Sequence, residues 1–81
     1  MLTLTHHARR RIHQREITDD EIAGALAGRL YRQPQGGYFY YNRATRCAVV
    51  VDDNQRYILT VFRLTKHEVK KLTGTLQKET N

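Results

Sequence analysis

The stretch "EITDDEIAGALAGRLYRQ", Glu16 to Gln33, contains the change of hydrophobic period that decides the fold. Its first half has complete helix punctuation. Thr18 and Glu21 form a T-x-x-E capping box, and Ile17 and Ile22 stand at the two positions of a hydrophobic staple. Asp19, Asp20 and Glu21 put negative charge on the first turn, where the helix dipole favours it. Ile22, Ala25 and Leu26 then give an apolar stripe at i, i+3 and i+4, and Gly28 stands at the C-terminal stop. From Leu30 the period becomes two.

Downstream, "LYRQ", "YFYYN", "RCAVVV" and "RYILTVFR" are rich in β-branched and aromatic residues. They are separated by "PQGG", "NRAT" and "DDNQ", which are turn chemistry. Connections this short favour hairpins, hence a four-stranded antiparallel meander. In the last strand, alternation puts Leu59 and Val61 on one face and Ile58 and Phe62 on the other, so both faces of the sheet are partly covered. A second capping box, Thr65 with Glu68, and its staple of Leu64 and Val69 predict a short third helix from about Lys66 to Thr73. Gly74 ends it and the tail to Asn81 is expected to fray. Upstream, Thr5 caps a helix running to about Arg15. The order ααββββα makes an α+β domain with helices packed on an antiparallel sheet.

A chain of 81 residues is one domain with a thin core. It has no apolar run near 18 residues and no signal-peptide pattern at its start. The single cysteine, Cys47, cannot form an internal disulfide and reads as a buried, inert thiol. Both point to the cytosol. The formal net charge is +6 and the basic excess is arginine-rich, ten Arg to four Lys. Arginine holds phosphate oxygens through a planar fork, so a polyanionic partner is expected.

The first helix carries most of that chemistry: "LTHHARRRIHQRE" places three histidines and four arginines in thirteen residues. With about 100° per residue, Ala8 and Ile12 mark the buried side, and His7, Arg11 and Arg15 form a rail along its border. His6, Arg9, Arg10 and His13 lie farther round on a solvated face suited to phosphate contact. Histidine beside arginines suits metal-independent RNA cleavage, which needs a base for the 2′-hydroxyl and cations against the charge developing on phosphorus. The same helix is also consistent with His7 packed on the sheet and with Arg11 and Arg15 paired to Glu16, Asp19 or Asp20. Ligand spacing for a metal, a Gly-rich phosphate loop and a Ser/His/Asp set are all missing, so no cofactor is expected.

"THHARRRIHQREIT", "EIAGAL", "AVVVDD" and "ILTVFR" together resemble a family of small bacterial and phage domains with an H-A-x-x-R-x-x-x-R-x-I motif and a T-V-x-R strand. That family is grouped with RelE/ParE-like toxins and the barnase–EndoU–colicin–RelE fold of metal-independent ribonucleases. The similarity spans about Thr3 to Arg63. The resemblance puts the motif on His7, Ala8, Arg11, Arg15 and Ile17, and adds Thr60 and Arg63 as partners across the sheet. Two positions depart from the pattern. Glu16 replaces a small turn-former, and His6 doubles the histidine.

The leading expectation is an endoribonuclease of toxin type, with His7, Arg11, Arg15, Thr60 and Arg63 as the catalytic set. His6, Arg10, Tyr41, Arg46, Lys66 and His67 would contact RNA. Among these, Tyr41 (with Tyr40) would stack bases, and Lys66 and His67 would receive phosphate at the start of the third helix. Such a protein implies an acidic antitoxin or immunity protein as partner. The alternatives are a non-catalytic nucleic-acid binder using the same helix, and an inhibitor that pairs with a partner through an exposed edge strand at Leu30–Gln33.

Overall fold

Thr5 starts the fold by serving two elements through one hydroxyl. Its Oγ1 accepts from the amide of Ala8 at 3.1 Å, capping a helix, and donates to the carbonyl of Ile58 at 3.0 Å, pinning that helix end to a strand. These contacts belong to a computed structural model that describes residues 2–34, 36–69 and 77–78. Its elements are β1 (Thr3–Leu4), α1 (His6–Gln14), α2 (Asp19–Leu26), β2 (Arg29–Arg32), β3 (Tyr38–Tyr41), β4 (Cys47–Val51), β5 (Tyr57–Arg63), a helical turn at 66–69, and β6 (Gln77–Lys78).

The class is α+β, and both predicted N-terminal helices are present. The Thr18–Glu21 box forms with both of its hydrogen bonds. The predicted antiparallel meander β2–β3–β4–β5 is present as well. The sheet is nevertheless mixed and longer than four strands, with the order β1-β5-β4-β3-β2-β6. β1 runs parallel to β5, pairing Thr3 with Tyr57 and Leu4 with Ile58. β6 lies antiparallel to β2 at Tyr31 and Arg32. Two-residue strands leave no periodic trace in a sequence, which is why the meander was all that could be read. The tail expected to fray therefore supplies an edge strand at Gln77–Lys78, and the Leu30–Gln33 edge is partly covered by it. The expected end of the third helix at Thr73 and Gly74 lies outside the described residues.

Apolar residues pack on both faces of the sheet. Ala8, Ile17 and Ala25 from the helical side meet Cys47, Val49, Val51, Ile58 and Val61 on one face. Tyr31, Phe39, Tyr41, Ala48 and Leu64 fill the other, with Val50, Phe62 and Val69 against them. The Thr65–Glu68 capping box starts the helical turn, and Leu64 and Val69 pack it onto this second face. Tyr31 and Tyr41 stack there with centroids 5.5 Å apart.

Simple alternation failed along β5. A bulge shifts the register between Val50 and Val51, so Val50 faces Thr60 while Val51 faces Ile58. Leu59 is the extra residue and stands 40% exposed. Ile58 and Val61, three apart, therefore both reach the helix-covered face. Thr60 shares the opposite face with its cross-strand partner Val50.

The α1–α2 corner is a Schellman motif. Ile17 N–H donates to Ile12 C=O at 3.0 Å and Glu16 N–H to His13 C=O at 3.3 Å, with Glu16 at φ +52°. Gly28 stands at the C′ stop predicted for it, its N–H donating to Ala25 C=O at 2.9 Å, and it has a second purpose, since a Cβ there would lie 2.2 Å from the Tyr41 carbonyl oxygen. The glycine lets the start of β2 pass the end of β3.

Two substitutions separate these roles. Glu16→Gly should raise unfolding free energy in urea by about 1 kcal/mol by relieving the left-handed residue. Gly28→Ala should lower it by about 1–3 kcal/mol through overpacking. A stabilised Gly28→Ala protein would mean that β2 and β3 separate easily at this point.

Candidate functional site

The chemistry of α1 divides into three surfaces. The crest carries His6, Arg9, Arg10 and His13, all exposed. None of these four side chains is in an ion pair among the described residues. On one border, His7 is exposed and Arg11 half-buried, and Arg11 Nε–H donates to His7 Nε2 over a long 3.4 Å. Arg11 Nη1 also donates to Gln14 Oε1 at 3.0 Å. Next along that border, Arg15 Nη1 donates to the Val61 carbonyl at 2.8 Å, satisfying a backbone acceptor on the β5 edge that β1 does not reach.

On the other border lies an open groove of about 450 Å³. Leu4, Ile12 and Ile17 form its apolar part. Arg9 and His13 border it from α1, Glu16 and Asp19 from the corner and the start of α2.

Arg63 belongs to none of these surfaces. Its Nε and Nη2 each donate to the Glu21 carboxylate at 2.7 Å, a two-pronged charge-assisted pair. Its Nη1 donates to Arg15 C=O at 2.9 Å and its Nη2 to Glu16 C=O at 3.1 Å. Those are carbonyls at the C-terminal end of α1, which the helix itself leaves without donors. Glu21 Oε1 in turn accepts from Thr18 N–H at 3.1 Å. One guanidinium thus ties the end of α1, the start of α2 and the end of β5. The Arg63 hydrogen bond and the Thr18 amide hold the Glu21 carboxyl down, at about 2 against an ordinary 4.5.

The expected catalytic set is therefore only partly assembled. His7 and Arg11 touch. Arg15 is nearby in sequence, but one of its guanidinium nitrogens serves the Val61 carbonyl of β5. Arg63 is taken up by Glu21 and two carbonyls, and Thr60 points from the face opposite α1. The expected RNA-contacting residues also divide. His6 and Arg10 stand on the crest. Tyr41 is 1% exposed and stacked on Tyr31, so it cannot meet a base. Tyr40 is half-buried and its hydroxyl donates to Gln55 at 2.7 Å. Arg46 lies in the β3–β4 turn at φ +62°. Lys66 and His67 are exposed on the turn that covers the second face, where the capping box already uses the Glu68 amide. That amide is closed to phosphate.

Cys47 is fully buried, and burial pushes its thiol up to about 11, which keeps it protonated and unreactive. Among the described residues no three metal-ligating side chains come together, and no helix is long and apolar enough to cross a membrane. The sequence reading missed the groove. Arg9 and His13 are four apart and flank Ile12, a signal that was available, whereas Glu16 and Asp19 reach it only through the corner. Comparison with protein-family models, curated proteins and solved structures finds no match to this chain.

The Arg63–Glu21 pair predicts an acid limb. Because the Glu21 value is lower in the folded state, its contribution is full above about 4.5 and is lost as pH falls toward about 2. Asp52 and Glu68, also lowered by backbone amides, add to the same limb. Glu21→Gln should cost about 1 kcal/mol at neutral pH, with screening at half-exposed Arg63 allowed for, and should flatten the stability–pH curve below pH 5. Urea titrations from pH 2 to 7 measure this. An unchanged slope in the variant would assign the limb to other carboxylates.

Proposed function

We propose that this protein binds RNA across the crest of α1 and cleaves it as a metal-independent endoribonuclease of toxin type, with His7 and Arg11 as the reacting pair. The carrying observation is the contact between Arg11 Nε–H and His7 Nε2 on an exposed surface. A ring nitrogen that accepts an N–H is unprotonated, so the contact belongs to the neutral imidazole, the form able to act as a base. An arriving phosphate competes for the guanidinium with charge-assisted hydrogen bonds, which are roughly twice as strong as neutral ones. Arg11 then turns to the phosphate and uncovers Nε2.

His7 takes the proton of the 2′-hydroxyl, whose oxygen bonds to phosphorus. The bond to the 5′-oxygen breaks and that oxygen leaves with a proton from solvent, giving a 2′,3′-cyclic phosphate. Arg11 stabilises the added charge on phosphorus. His6, Arg10 and the other crest cations hold neighbouring phosphates. Arg63 acts here by positioning, since it fixes the corner from which Arg15 and the end of α1 project. The resemblance to RelE/ParE-like domains and the net charge of +6 support the same reading, and an acidic antitoxin or immunity protein is its natural partner.

Binding without cleavage is the second reading. It is favoured by the engagement of Arg63 with Glu21 and the placement of Thr60 on the far face, which leave the His7–Arg11 pair with few helpers.

Incubation with RNA in EDTA distinguishes them. Cleavage producing cyclic-phosphate ends should fall about 100-fold or more in His7→Ala and in Arg11→Ala, and 2′-deoxy substrates should resist. Cleavage unaffected by His7→Ala overturns the catalytic assignment. Salt-sensitive binding with no cleavage establishes the second reading.

A further inference from the structure

Gln14 is outside the H-A-x-x-R-x-x-x-R-x-I pattern, yet its side chain ends a hydrogen-bonded chain that begins at the reacting ring. Gln14 Oε1 accepts from Arg11 Nη1 at 3.0 Å, and Arg11 Nε–H donates to His7 Nε2 at 3.4 Å. The three residues stand at i, i+4 and i+7, one above another along one border of α1. Arg11 is half-buried, so its stem is held against the protein while its fork lies between two exposed side chains.

A lone arginine on a helix surface samples many rotamers, and few of them set Nε–H against a ring four residues back. The Gln14 amide oxygen supplies a second anchor on the other side of the guanidinium. Its bond is the shorter of the two, so the contact with His7 depends on the hold at Gln14. Nη2 meets no acceptor among the described residues, which leaves it for a phosphate.

In a neutral imidazole one nitrogen carries the proton and the other accepts, and the bond made at one decides the state of the other. A donor on Nε2 requires the proton to be on Nδ1. Free histidine prefers the reverse arrangement, which would leave only Nδ1, the nitrogen nearer the backbone, to act as a base. Nε2 is at the tip of the ring, where a 2′-hydroxyl reaches it more easily.

We propose that Gln14 is a positioning residue: through Arg11 it holds His7 in the tautomer that bears its proton on Nδ1 and offers Nε2 to the substrate. The proposal rests on the cleavage reading for its purpose and on the two hydrogen bonds for its geometry. Long-range proton–nitrogen correlation spectra of the labelled, intact protein at about pH 8.5, where an ordinary imidazole is neutral, report which ring nitrogen carries the proton. His6, His13 and His67 are internal references, exposed and without a side-chain hydrogen bond among the described residues. They should show the Nε2–H form of free histidine, and His7 chiefly the Nδ1–H form. Gln14→Leu, which matches glutamine in helix propensity, should return His7 to the reference pattern. Gln14→Glu, which keeps an acceptor for Arg11, should not.

In the cleavage assay Gln14→Leu should lower kcat about tenfold and leave KM within about twofold. Gln14→Glu should restore kcat, its added charge acting on KM alone. A His7 ring that matches the references, or that keeps the Nδ1–H form in Gln14→Leu, overturns the proposal. So does a rise in KM with kcat unchanged, which would make Gln14 an RNA contact. The expected spectra without any cleavage would sink the ribonuclease reading and leave the positioning by Gln14 standing.

Discussion

Arg63 is the constraint on which the rest of this small domain depends. Helix α1 ends, the chain reverses through a left-handed residue, and α2 begins three residues later. Such a corner exposes carbonyls from one helix and amides from the next within a few ångströms. A single guanidinium, delivered from the last residue of β5, donates to the carbonyls of Arg15 and Glu16. Through its other N–H groups it grips Glu21, which already caps α2. Without it, the α1–α2 corner would keep its Schellman and capping bonds, the Arg15–Val61 bond and the buried Ile17, but would lose the one charged tie between β5 and the start of α2 among the described residues. The crest and the His7–Arg11 border take their orientation from α1, which Thr5 pins to β5 at one end and this junction fixes at the other, and the groove lies beside the junction.

The same junction shows what a sequence discloses. Each half was visible: the T-x-x-E box around Glu21, and an arginine closing "ILTVFR". That they meet was not, because 42 residues separate them and no local spacing encodes the encounter. Devices whose partners lie within five residues were legible, which is why both capping boxes, the helix start at Thr5 and the hairpin turns are where the residue types put them. β1 and β6 were not, since a strand of two residues owes its existence to the neighbour it pairs with.

Reading the candidate site met the same boundary. The helical wheel sorted α1 correctly into buried Ala8, half-buried Ile12 and an exposed crest, because helical geometry is local. Assigning Thr60 and Tyr41 required knowing which face of the sheet each occupies. The bulge at Val50–Val51 reverses the parity of β5 beyond Leu59, and the packing of Tyr31 on Tyr41 draws an aromatic that looked available into the interior. Glu16 is a related case: a residue with a long carboxylate side chain, rather than glycine, occupies the left-handed position of the corner.

The fully buried residues on the two sides of the sheet also differ in kind: those beneath the helices are aliphatic or small, and the buried aromatic rings lie on the reverse. The chain has no tryptophan, so its near-ultraviolet circular dichroism arises mainly from tyrosines and phenylalanines held rigidly in asymmetric surroundings. Tyr31, Phe39 and Tyr41, the fully enclosed rings, all belong to the reverse side. Spectroscopy in that band is therefore weighted toward the reverse side, with Tyr38 and Tyr40 adding a contribution from the helix-covered face, while the far-ultraviolet helix signal comes mostly from the helical layer. A mismatch between the two melting curves would show the layers parting company before the whole domain unravels.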